Sequence, residues 1–128
     1  MTDLNYLALS ALLAWLMLIV ASLLRSRAWM PAGIQVALGN RDELPELSPL
    51  AGRADRAARN MLENLVLFTA LVAALRLGGK PAATDAAALF FWARVLYFAV
   101  YLAGVPYLRT LVWLVSISAL ARLLAQVF

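Results

Sequence analysis

The chain has 128 residues, of which 65% are hydrophobic and only 14% charged, with a net charge of +4 and a mean hydropathy of +0.84. A soluble domain is about half apolar and about a quarter charged, so this composition excludes an ordinary soluble fold. Cysteine and histidine are both absent, which removes a disulfide framework, a thiolate nucleophile, a Cys/His metal site and the usual general base near neutral pH.

The first apolar run, Leu4 to Leu24, is long, lacks a basic n-region and is followed by Arg25 and Arg27. It reads as a retained membrane span rather than a cleaved leader. Arg25 to about Arg53 is a mixed stretch rich in Pro and Gly and reads as the one long loop. Trp29 and Met30 beside the cations suit a membrane interface. A second span is expected from near Arg56 to Leu77, ended by Gly78, Gly79 and Pro81. A third runs from about residue 82 to 103, and Gly104 and Pro106 mark a short turn before a fourth, 107 to 128. The expected architecture is therefore all-α, a single transmembrane domain over 1–128 built as a four-helix bundle.

Four spans put both termini on one side. Counting cations only, Arg25, Arg27, Arg41, Arg53 and Arg56 flank the first loop, against Arg76 and Lys80 in the second, so the first loop is expected in the cytoplasm. The cations are scattered among spans, without a basic stripe interleaved with aromatics, which argues against nucleic acid as a partner.

Polar residues inside the spans carry the functional signal, because a charge near a helix centre costs about 2.5–3.5 kcal/mol on insertion scales. At about 100° per residue, Arg53, Arg56, Asn60, Glu63 and Asn64 fall within an arc of roughly 100°, and Arg94, Tyr97 and Tyr101 within about 60°. Two polar stripes are best satisfied facing each other, with Glu63 and Arg94 as the expected ion pair. Surplus arginines in a membrane-bounded cleft then suit an anion. Plainer readings of the same residues are arginines snorkelling to lipid phosphates, Asn60 and Asn64 as interhelical glue, a purely structural Glu63–Arg94 pair, and packing tyrosines. Asp85 reads as a charge at a helix N-terminus, and Arg122 as an interfacial anchor.

The segment Arg53-x-x-Arg56-Ala57-x-x-Asn60-x-x-Glu63-Asn64, followed by Ala93-Arg94 and the spaced Tyr97 and Tyr101, resembles the signature of the membrane-associated proteins in eicosanoid and glutathione metabolism (the MAPEG family), in its bacterial-type form. Gly52 departs from the Glu that relatives often have before the first arginine, and Asn64 follows the transferase branch rather than the leukotriene-forming one. The resemblance implies a homotrimer of four-helix subunits in a membrane such as the inner membrane, with glutathione between neighbouring subunits on the cytoplasmic side. It implies glutathione contacts for Arg56, Asn60 and Glu63, with Arg53 and Asn64 beside them and Arg94, Tyr97 and Tyr101 lining the same pocket. It also implies a first-helix arginine, Arg25 or Arg27, and a thiolate-stabilising catalytic arginine at the start of the last span, Arg109. The activity implied is conjugation of glutathione to a small hydrophobic electrophile, or reduction of a lipid hydroperoxide. Other readings are a non-catalytic member binding lipid or a protein partner, and a small multidrug exporter, although such exporters place their carboxylate in the first span.

Overall fold

The computed structural model describes residues 1–128 and consists of five helices without strands: α1 (Asp3–Ser26), α2 (Pro31–Leu38), α3 (Pro49–Leu77), α4 (Thr84–Ala103) and α5 (Pro106–Val127). All but α2 are long and apolar enough to cross a membrane. Around the bundle, α1 packs on α3 and α4, and both of these pack on α5 and on each other, while α1 and α5 do not meet. With lipid outside, close helix contact depends on small residues and packing rather than on hydrophobic segregation. The buried face of α3 follows that rule, with Ala51, Ala54, Ala57 and Ala58 leading to Met61. Farther along, Phe68 of α3 stacks on Phe90 of α4 with ring centroids 4.3 Å apart.

Two local departures from the sequence expectation have clear causes. The helix α3 begins at Pro49, not near Arg56. Ser48 is its N-cap, its Oγ accepting from the Ala51 amide at 3.1 Å, and Pro49 occupies the first turn, where its missing N–H costs nothing. The prolines and glycines of the stretch up to Arg53 disguised this start. A helix of 29 residues is about 44 Å long at 1.5 Å per residue, against a hydrocarbon core of about 30 Å. The charged first turns therefore emerge from the apolar slab on a rigid helix instead of a loop.

The second departure is α2, which interrupts the expected long loop. Its Gly33 lies against the end of α1 so closely that an added Cβ would meet the Arg27 carbonyl oxygen at 2.0 Å. Only glycine permits that backbone approach. The rest of the loop is held by arginines: Arg25 donates to the Pro45 carbonyl, Arg27 to the Glu46 carbonyl at 3.5 Å, and Arg41 to Ser22 Oγ at 3.1 Å.

At the opposite end of the bundle a fully buried carboxylate, Asp3, ties three helices together. Arg76 at the end of α3 donates to its Oδ1 from Nη2 at 2.7 Å and from Nε at 3.1 Å. The Ala83 amide, at the start of α4, donates to Oδ2 at 3.3 Å. Arg76 is thus a structural partner rather than a free loop cation.

Candidate functional site

The loop end of the bundle brings the start of α3, the end of α4 and the start of α5 together. Their register decides what meets there. Arg94 is completely buried, and it does not pair with Glu63. Its Nη1 donates to Asn60 Oδ1 at 3.1 Å and its Nη2 to the Asn60 carbonyl at 3.0 Å. That carbonyl also accepts from Asn64 Nδ2 at 2.8 Å. Glu63 instead points to the exposed side of α3, and no ion pair reaches it. A stripe about 100° wide spans both a facing and an outward edge, and Asn60 occupies the facing one. The Arg94 guanidinium also lies over the rings of Phe90 and Tyr97, at 5.6 and 5.0 Å, while its Nε has no hydrogen-bond partner.

Farther toward the mouth, Tyr97 and Tyr101 pack edge to face at 5.3 Å. The Tyr101 hydroxyl accepts from Arg56 Nε at 3.3 Å, and Arg109 lies over the Tyr101 ring at 4.8 Å. Arg53 donates from Nε to the Leu102 carbonyl at 3.1 Å, satisfying one of the orphan acceptors at the end of α4. Gly52 leaves room for this arrangement, since an added Cβ would stand 3.2 Å from Arg56 Nη1.

These side chains enclose a cleft of about 330 Å³ lined by Arg56, Asn60, Tyr97, Tyr101, Arg109, Thr110 and Trp113. The structure thus gathers five of the sequence candidates on one cavity. Arg94 stands behind Asn60 and orients its side chain, Asn64 bonds the main-chain carbonyl of the same residue, and Arg53 lies at the mouth. Arg25, Arg27 and Glu63 do not line the cleft within one chain; the first two hold the loop. Thr110 and Trp113 escaped the sequence reading. Trp113 is four residues beyond Arg109 and therefore on the same helical face, which is the one signal that would have found it.

The electrostatics are one-sided. The ion pairs formed in the molecule are Asp55–Arg59 and Asp3–Arg76, so Arg53, Arg56, Arg94 and Arg109 all lack a carboxylate partner. Guanidinium groups that converge without counter-charge favour the anionic form of whatever enters.

A multi-pass bundle of four apolar helices, with an arginine-rich cleft at one end, defines a membrane protein whose cleft suits an anionic group. The family profile described as MAPEG family matches residues 4–128, and the chain belongs to that family. Searches among curated proteins and among solved structures gave no match. Membership associates the chain in general terms with glutathione- or eicosanoid-related membrane proteins.

Proposed function

We propose that the protein is a glutathione-dependent membrane transferase or peroxidase acting on hydrophobic electrophiles or lipid hydroperoxides. The observation that carries this reading is the cleft in which Arg56 and Arg109 converge with no carboxylate to neutralise them. Glutathione presents two carboxylates and a thiol, and the donor set suits it. Arg56 and Asn60 hold the peptide, Tyr97 and Tyr101 wall the cleft, and Arg109 stabilises the thiolate. A free thiol has a pKa of ~8.5, which neighbouring arginines lower. The chain itself has no cysteine or histidine, so the reacting sulfur belongs to the ligand. It attacks an electrophilic carbon, displacing a leaving group or opening a ring; alternatively it attacks a peroxide oxygen, releasing an alcohol, and a second thiol then yields disulfide and water.

In this reading the protein is a homotrimer with its mouth and first loop in the cytoplasm and its termini opposite. The positive-inside count supports that orientation. Glu63, with Arg25 or Arg27, completes the peptide site across a subunit boundary; the outward placement of Glu63 on α3 is consistent with that role.

The test is the ultraviolet difference absorbance of thiolate when glutathione is added to the purified protein, beside Arg109→Ala. A thiolate signal near neutral pH that disappears in the variant is the expected result. Silence in both proteins would exclude the activity and leave a lipid-binding or partner-binding member of the fold.

A further inference from the structure

Beside the cleft, the mouth of the bundle holds a smaller chamber of about 100 Å³. Its own lining is Arg53 and the turn Gly104–Val105–Pro106, and it shares Arg56, Tyr101 and Arg109 with the larger cleft. Three guanidinium groups thus border a space with room for one small oxyanion group, not for a peptide. None of the three takes part in an ion pair. An anion seated among them would relieve their mutual repulsion.

Several features of the chamber are specific to an anion. Arg53 is pinned through Nε to the Leu102 carbonyl, which leaves its Nη groups uncommitted. Gly104 keeps the space above that guanidinium open. Its φ is +78°, and an added Cβ would stand 3.4 Å from Arg53 Cζ. The N-terminus of α5 opens onto the same place with no side-chain cap and no acidic residue in its first turn, so its dipole adds to the positive field. Donors come from different directions: Arg53 and Arg56 from α3, Arg109 from α5, and the Tyr101 hydroxyl from α4. A phosphodiester is tetrahedral, so its two charged oxygens and two ester oxygens face donors on different sides, whereas a planar carboxylate offers two oxygens in one plane.

Depth identifies the source of the phosphate. The Gly104–Pro106 turn joins two membrane-spanning helices and therefore lies at the bilayer boundary, the level of lipid phosphates. We infer that this chamber is a binding site for the phosphate of an anionic phospholipid, with Arg53 as its dedicated ligand. A lipid seated there screens two of the guanidinium groups that the cleft uses. The inference does not depend on glutathione being the cleft's ligand.

The experiment is native mass spectrometry of the full chain in neutral detergent, titrated with short-chain phosphatidylglycerol, with phosphatidylcholine of the same chain length, and with inorganic phosphate as competitor. Basic residues near a membrane surface each contribute about fivefold to anionic-lipid affinity. Phosphatidylglycerol is therefore expected to bind at least about fivefold more tightly than phosphatidylcholine. Arg53→Gln keeps an amide donor for the Leu102 carbonyl but removes the charge, and should lower that preference about fivefold. Arg59→Gln, at an exposed residue already paired with Asp55, should leave it unchanged. No preference in the wild-type protein would overturn the proposal, as would equal losses in the two variants. Displacement of the lipid by inorganic phosphate at matching concentration would make this a soluble-phosphate site and overturn the lipid assignment.

Discussion

The two ends of the bundle treat charge in opposite ways. At the closed end, Asp3 is met by Arg76 and by the Ala83 amide, so that carboxylate is satisfied inside the chain. At the open end, Arg53, Arg56, Arg94 and Arg109 meet carbonyls, an amide, a hydroxyl and aromatic faces, but no carboxylate. A paired buried charge holds helices together and resists change, because removing one partner strands the other. Unpaired cations fixed by neutral acceptors keep their field available for something that arrives. One end is thus neutralised within the chain and the other is not, although both are built from arginine.

That contrast gives four measurable consequences, the largest at the open end. Arg109→Ala should lower glutathione-dependent kcat/KM by about 10²–10³, the usual effect of removing one preorganised group that stabilises an anion. The melting temperature should scarcely move, since Arg109 makes no ion pair; a collapse in stability would mean that the open end is structural after all. At the closed end the pattern should reverse. Asp3→Ala strands Arg76 and should cost about 2 kcal/mol, below the ~3–5 kcal/mol of a fully buried pair because Arg76 is partly exposed. Asp3→Ala combined with Arg76→Met should recover most of that loss in thermal unfolding, with the thiolate signal intact throughout.

A smaller effect sharpens the comparison by making the open end resemble the closed one. Asn60→Asp gives Arg94 a carboxylate where it now has an amide oxygen at 3.1 Å. Loss of net positive charge beside the cleft should raise the KM for glutathione about tenfold, equivalent to ~1.4 kcal/mol. An unchanged KM in steady-state kinetics would show that the field of the arginine cluster does not set affinity. The smallest change is expected at Arg59→Gln. Its exposed pair with Asp55 should be worth under about 0.5 kcal/mol in the same unfolding assay.

Much of the bundle was legible because lipid imposes a simple rule: backbone polar groups must be satisfied within each segment, so long apolar runs must be helices. Gly104 with Pro106, and Gly78 with Gly79, marked turns for equally local reasons. The start of α3 was misplaced because the prolines and glycines between Arg25 and Arg53 suggested a loop, whereas the Ser48–Pro49 cap carried the truer signal. The helix α2 was missed because a short segment in a Pro/Gly-rich stretch has no periodicity to detect. At the site, the two polar stripes were readable from the helical repeat. The partner of Arg94 was not, because attraction of opposite charges favoured Glu63, and a rotation of about 100° per residue decides which side chain faces across.

By itself, then, the sequence determined an all-helical membrane chain of four spans, its membership of a family with a recognisable motif, and which residues are too polar for lipid to tolerate. These follow from composition, periodicity and local turn chemistry, which depend on near neighbours only. The tertiary structure alone decided that Asn60 rather than Glu63 receives Arg94, that Asp3 closes the far end, and that three arginines border one small chamber. Such outcomes depend on the rotation and translation of whole helices against one another. Those are set by packing small side chains along α3 against its neighbours, and no local pattern encodes them.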